Sequence, residues 1–439
     1  MFSNKDLRKL IIPLVIEQLL AVTIGMADTV MVSSCGEAAV SGISLVDSIN
    51  FLLITLFSSL ATGGAVIASQ YIGRGDHKSA SLAAKQLFYA SLALSAVLGV
   101  IAVFFRKPVL NMAFGSIEAD VMAHAQIYFL LSAISYPFLA VYNAGAALFR
   151  SMGDSRTTML ISILMNTINI VGNAILIYGF QMAAAGAATA SLVSRAVGAI
   201  IITVLLLNPR RIIFYDKLHK PEIHLSMLKS ILQIGVPNGL ENSIFQIGKI
   251  LVASIVSGFG TISITANAVA GNLASLQVIP GMAMITVVGQ CIGAKDYEAV
   301  KKYTKKLMLI TYGVVWAMTL LMLLFSKQIL SFYSLSEETT TMTMEVFIVH
   351  GICAVIVWPL AFALPNALRA ANDVRFTMIV SLLSMWIFRI GFSYILAIYF
   401  NMGILGTWIA MCIDWFCRGA CFVIRFARGK WKNISFIDN

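Results

Sequence analysis

Charge is scarce in this chain: 12% of its 439 residues are Asp, Glu, Lys or Arg, while 59% are hydrophobic. Soluble domains carry about 25% charged residues. A water-solvated fold of this length needs far more polar surface than that. The shortage excludes a soluble protein and makes lipid the solvent of most of the exterior. Catalytic and metal signatures are also missing. The six cysteines, Cys35, Cys291, Cys353, Cys412, Cys417 and Cys421, form no C-x-x-C pair and no Cys/His spacing that holds zinc. Most sit in apolar runs, where cysteine is a small hydrophobe. There is no H-E-x-x-H, no G-x-S-x-G, no P-loop and no pair of aspartates on a catalytic helix. The reading is therefore no enzyme, no cofactor, no resident metal and no direct ATP coupling. The net charge of +11 does not point to nucleic acid, because no stretch alternates basic and aromatic residues as a base-stacking groove does.

What the chain does have is long apolar runs. A helix needs about 20 mostly apolar residues to cross the hydrocarbon core. Twelve runs qualify: 10–32, 46–70, 88–105, 125–149, 157–178, 186–207, 231–257, 265–289, 307–325, 344–368, 376–400 and 404–424. Spanning backbone must satisfy its own hydrogen bonds, so these are helices. The opening Lys5, Arg8 and Lys9 followed by an apolar run has the outline of a signal peptide. Pro13, Glu17, Gln18 and Asp28 inside that run, and the eleven runs that follow it, argue against cleavage.

Basic residues set the orientation. With both termini cytoplasmic, 24 of the 31 Lys and Arg lie on the inside, three (Arg106, Lys107, Lys327) outside and four within spans. The expectation is a multi-pass protein of the plasma (inner) membrane. The chain also repeats itself. Pro13 and Pro237, Glu17 and Glu241, and Gly36 and Gly260 are each 224 apart. The run Gln70-Tyr-Ile-Gly-Arg-Gly-Asp76 matches Gln290-Cys-Ile-Gly-Ala-Lys-Asp296 at an offset of 220. Arg150-Ser-Met-Gly-Asp-Ser-Arg156 matches Arg369-Ala-Ala-Asn-Asp-Val-Arg375 at 219. An even number of spans per half makes the repeats parallel. The fold class is thus all-α integral membrane: twelve transmembrane helices in two parallel six-helix repeats around a central cavity. The expected organisation is 1–207 as N-terminal lobe, 208–230 as cytoplasmic linker and 231–439 as C-terminal lobe.

Pro13, then Ala27-Asp28-Thr29-Val30-Met31-Val32, Gly36 and Ala39-Val40-Ser41-Gly42 resemble the opening of the MATE (multidrug and toxic compound extrusion) family. The Gln-x-x-Gly-x-x-Asp turns after spans 2 and 8 and the Arg-x-x-x-Asp turns after spans 4 and 10 fit the same family, over essentially the whole chain. The resemblance implies an antiporter that exports small organic, cationic or amphipathic compounds against an inward flow of H⁺ or Na⁺, working as a monomer in the bilayer. It also implies a cation-sensitive site in the N-terminal lobe. Asp28 in span 1 and Asn169 in span 5 match that site. Asn173 stands where many relatives have an aspartate, and Ser191 in span 6 supplies a further oxygen. The loss of one carboxylate favours H⁺ over Na⁺. In the NorM-like branch a span-10 carboxylate serves the C-terminal lobe; the matching position here is Trp358, and Glu241 lies about one turn before the NorM-like glutamate of span 7. The pattern leans to the DinF-like side.

Charge inside a membrane costs about 2.5–3.5 kcal/mol per residue on insertion scales, so each case needs a reason. Asp28 lies about 22 Å beyond Pro13 along a helix, in the outer half of span 1, with no basic residue near it in sequence. Glu17 and Glu241 sit one turn after their prolines, as cavity carboxylates that draw in cations or as groups paired within their own lobes. Arg195, Lys249, Arg389 and Asp414 read as structural ion pairs: Lys249 follows Glu241 by two turns on one face, and Arg389 and Asp414 belong to adjacent helices. His124 and His350 read as histidines at the membrane interface. A major-facilitator transporter is the wrong match, because the loop Gly73-Arg-Gly-Asp-His-Lys78 lacks that family's pattern. A lipid-linked saccharide flippase and a membrane-embedded protein without transport activity remain as alternatives.

Overall fold

The computed structural model describes residues 2–114, 118–216, 218, 220, 222–275, 281–331 and 335–434, the side chains of 22–30 and 33 excepted. Among these residues the protein is entirely helical. Spans 1 to 7 are Asn4–Ser33, Glu37–Arg74, His77–Phe104, Ala119–Ser151, Ser155–Gly179, Ala183–Leu206 and Leu225–Ser257. Span 8 is described as Thr261–Ser275 and Met282–Gly293, and spans 9 to 12 are Tyr297–Leu324, Glu337–Ile356, Val374–Tyr399 and Gly403–Ala427. Ten of the described helices are long and apolar enough to cross a membrane. Their outward faces carry bare apolar groups, such as Phe104, Trp316 and Leu324 at 76%, 59% and 65% exposure, as a lipid-solvated surface requires.

Span 10 is shorter than its apolar run. It ends at Ile356 and two short turns follow, Trp358–Phe362 and Leu364–Ala370. Pro359 and Pro365 open these turns. Proline lacks the N–H that a continuous helix needs and suits a first turn instead.

The internal repeat extends to backbone geometry. Left-handed residues recur at matching places: Gly36 (φ 92°) and Gly260 (88°), Gly75 (81°) and Lys295 (55°), Gly153 (83°) and Asn372 (67°), Gln181 (54°) and Asn401 (55°). Asp76 and Asp296 each cap the following helix, accepting from the N–H of Ser79 at 3.0 Å and of Ala299 at 2.9 Å. Bonds from the Ser79 side chain and backbone hold the Asp76 carboxyl below its usual range. Spans 5 and 11 both close in a wide π-type turn, Ala174–Gly179 and Tyr394–Tyr399. Helices approach closely where glycine removes the side chain: a Cβ on Gly42 of span 2 would lie 2.8 Å from the Val121 carbonyl of span 4.

Two compact units divide the chain, Met1–Gly239 and Leu240–Asn439. The 208–230 segment, expected as a linker in its own right, belongs to the first unit. The reason is a set of hydrogen bonds to span 3 and the turn before span 5. Tyr89 Oη donates to the Leu218 carbonyl at 2.7 Å and Gln86 Nε2 to the Glu222 carbonyl at 2.6 Å. The His224 N–H donates back to Gln86 Oε1 at 3.0 Å, and Arg211 pairs with Asp154 at 3.1 Å. Gln86→Ala removes two of these bonds, each contributing about 1 kcal/mol. The expected result is trypsin cleavage between 208 and 224 roughly thirtyfold faster than in the parent, read by gel on detergent-purified protein. Unchanged cleavage would show that the strap is held elsewhere.

Candidate functional site

Three of the four residues expected at the N-terminal cation site come together. In span 5, Asn169 and Asn173 sit one turn apart on one face, 7% and 1% exposed. Asn169 Nδ2 donates to Ser191 Oγ of span 6 at 3.0 Å, and Asn173 Nδ2 lies 3.5 Å from Asn169 Oδ1. Span 1, which carries Asp28, packs against span 5; the Asp28 side chain lies outside the described residues.

The first unit holds a second polar cluster that sequence reading missed. Asp47 of span 2 accepts from Tyr128 Oη at 3.0 Å and Asn50 Nδ2 at 3.3 Å. Tyr136 Oη donates to Asn50 Oδ1 at 2.7 Å. Arg195, expected in a structural ion pair, donates to Ser135 at 2.7 Å and acts on Asp47 electrostatically. The available signal was an aspartate one residue inside an apolar run, which passes for a helix end.

Glu17 and Glu241 have arginine partners within their own units. Glu17 Oε1 lies 3.8 Å from Arg150 and its Oε2 accepts from Thr158 at 3.1 Å. Glu241, 6% exposed, pairs with Arg369 at 2.8 Å. Both arginines open the repeated Arg-x-x-x-Asp turns, so the two pairs are one device used twice. The aspartates of those turns are engaged as well, Asp154 by Arg211 and Asp373 by Arg425 at 2.7 Å.

The second unit contains a cavity of about 570 Å³ formed by spans 7, 8, 10, 11 and 12. Aromatic rings build much of its wall: Phe245, Trp358, Phe362, Trp408 and Trp415. Trp358 thus lines the cavity at the position where a NorM-like member is expected to place a carboxylate. Trp408 Nε1 donates to Asn267 Oδ1 at 3.1 Å, fixing a polar group on that wall. His350 lies thirteen residues into its helix and is 3% exposed, which corrects the interface reading. Its ring stacks on Phe347 and meets Trp408 and Trp415 edge-on, with centroids 5.6 and 5.3 Å away.

Among the expected ion pairs, Asp414 is the hub. It is fully buried, accepts from Arg418 Nη2 through both oxygens at 3.0 and 2.9 Å, and accepts from Ser384 Oγ. Arg389 is its more distant partner at 3.9 Å. Lys249 departs from expectation. Glu241, two turns away, is taken by Arg369, and among the described residues no carboxylate lies within 4 Å of Lys249. Its ammonium instead lies 5.3 Å from the Phe245 ring centre, on the cavity wall.

Chemically, the first unit offers two buried amides and a half-buried hydroxyl beside the helix that carries Asp28, and the second offers an aromatic chamber with positive side chains. A MatE family model matches the chain twice, over residues 13–175 and 237–395, once in each repeat. The chain is 27% identical over 429 residues to an uncharacterized transporter, YisQ, of Bacillus subtilis, covering 95% of this chain and 93% of that one. It is 26% identical over 442 residues to a probable multidrug resistance protein, NorM, of Thermotoga maritima, covering 98% and 93%. An outward-facing multidrug resistance MATE transporter of the MOP superfamily superposes with a TM-score of 0.89 at 21% identity, over 98% and 97% of the two chains. That likeness shows the fold. With both repeats matched in order and the twelve-span architecture in place, the chain belongs to the MATE family of multidrug efflux transporters.

Proposed function

We propose that this protein is a secondary antiporter that exports amphipathic organic compounds in exchange for H⁺ rather than Na⁺. Coupling is assigned to Asp28 with Asn169, Asn173 and Ser191. The observation that carries this reading is the span 5–6 cluster, a chain of two buried neutral amides and a half-buried hydroxyl beside the helix bearing Asp28. Such groups hydrogen-bond a protonated carboxyl well. They offer no formal charge to compensate Na⁺, whose desolvation needs anionic oxygens. Glu17 and Glu241, already engaged by arginines, stand second as coupling groups.

Of the cationic and amphipathic substrates that the resemblance implies, the aromatic, positively charged chamber of the second unit favours the amphipathic class. Trp358 on its wall supports placement on the DinF-like side. The excess of basic residues in the expected inner segments supports a plasma-membrane protein with both termini cytoplasmic. Export by a single chain without cofactor completes the reading. Membership of the MATE family favours this reading over the flippase and non-transport alternatives.

Transport by purified protein in liposomes under separately imposed H⁺ and Na⁺ gradients tests this. Efflux of a fluorescent amphipathic dye is expected under the H⁺ gradient and at leak level under Na⁺ alone. Efflux driven by Na⁺ at constant pH overturns the coupling assignment.

A further inference from the structure

The geometry points to an organic-anion site in the second-unit cavity: Lys249 and Arg389 receive a carboxylate-type group while the surrounding aromatic rings hold an aromatic body. This names a substrate chemistry for the chamber and rests on the antiport reading only in treating the chamber as a place where transported compounds bind.

Three observations carry it. First, positive charge is in excess. Lys249 Nζ, Arg389 Cζ and Arg418 Cζ lie 5.3, 5.4 and 5.2 Å from the centre of the single Phe245 ring. Asp414 is the one carboxylate among the described residues that pairs with any of them. One negative charge against three leaves the cluster net positive. No Asp or Glu lines the cavity among the described residues. Like charges gathered around one ring in a medium poorer than water repel, and a bound anion relieves that repulsion.

Second, Asp414 is already satisfied without Arg389 or Lys249. Arg418 and Ser384 fill its oxygens, and Arg389 stays 3.9 Å off. The Arg389 guanidinium, on a residue only 9% exposed, makes no hydrogen bond among the described residues, and its Nε is buried without an acceptor. Trp415 Nε1 on the same wall is another buried donor without an acceptor among the described residues. Buried donors are normally paired. A wall with surplus donors and surplus positive charge is complementary to an acceptor that carries negative charge, and a planar guanidinium suits a carboxylate in particular.

Third, the remaining wall is aromatic. Trp358, Phe362 and Trp408 surround the charged groups. At about 570 Å³ the chamber is of the size that holds a small organic molecule. A cationic drug would meet Lys249 and Arg389 at close range, with Asp414 held mainly by Arg418 and no carboxylate on the cavity wall among the described residues.

The test is a binding measurement on the full chain in nanodiscs, without any gradient, by calorimetry. Three probes share one ring system and differ in charge: 2-naphthoate, neutral 2-naphthamide and cationic 2-naphthylmethylammonium. The expected result is 2-naphthoate binding at least tenfold more tightly than either of the others. Lys249→Gln lowers naphthoate affinity about tenfold and leaves naphthamide within twofold, while Lys249→Arg keeps affinity within threefold of the parent. Lys249 is an exposed residue on the cavity wall and pairs with no carboxylate among the described residues, so these variants leave the fold intact. Equal affinities for naphthoate and naphthamide, preference for the cation, no measurable naphthoate binding, or an equal loss of both probes in Lys249→Gln each overturn the proposal. Because no gradient enters the measurement, naphthoate selectivity in a protein that fails H⁺-driven export sinks the antiport reading alone. Export without naphthoate selectivity sinks this one alone.

Discussion

Asp28→Asn is expected to reduce proton-driven export to leak level, at least about a hundredfold below the parent, while the protein purifies and melts as before. An ion directs alternating access only if it binds the two states of the transporter with different affinity. A carboxyl group that is hydrated in one state and desolvated in the other meets that condition for a proton. Under the proposed coupling its partners are the neutral Asn169, Asn173 and Ser191, which bond to one another, and span 1 packs on the helix that carries the first two. Asparagine keeps the size of aspartate and, like the protonated acid, both donates and accepts, but it cannot titrate, so the fold is spared and coupling is lost. Asn173→Asp is the converse change. It restores a second carboxylate and is expected to bring sensitivity to Na⁺. Dye efflux from liposomes under each gradient reads both variants. Full export by Asp28→Asn under a proton gradient moves the coupling site to Glu17 or Glu241.

The repeat and the spans were legible because they depend on what sequence displays directly: apolar length, charge placement and recurrence at a near-constant offset. The recurrence reached further than the sequence indicated, since Gln181 and Asn401 are left-handed at matching places with no glycine to mark them. The expected Arg389–Asp414 pair is only a 3.9 Å approach, because Arg418, one turn along the same helix as Asp414, takes that carboxylate at 2.9 Å. The place of Lys249 was not legible. Spacing alone placed it on the face of Glu241, and only the three-dimensional structure shows Arg369 occupying that glutamate from 128 residues away. Asp47 escaped for a related reason: its partners Tyr128 and Arg195 come from other spans, and neither spacing nor hydropathy links them. His350 looked like an interface residue by position, while its burial depends on Phe347, Trp408 and Trp415 closing around it. Single-helix properties could be read from the sequence, whereas contacts between helices required the fold.

Asp414→Leu is expected to lower the melting temperature of the detergent-solubilised protein by on the order of 10 °C. The substitution removes a carboxylate with no solvent exposure and leaves Arg418, 3% exposed, without a counter-charge, while Arg389 loses its distant partner. Breaking a buried pair from one side costs about 3–5 kcal/mol, because the remaining ion stays desolvated. Replacing both members by apolar side chains does not strand a charge, and the double variant Asp414→Leu/Arg418→Leu is therefore expected to melt above the single variant. The comparison separates two causes. A packing defect at Asp414 would persist or worsen in the double variant, whereas a stranded guanidinium is removed by it. Arg389 is spared the full penalty in both variants because it borders the cavity. A double variant melting at or below the single one would show that the stability of this pair comes from shape and from the Ser384 bond rather than from charge.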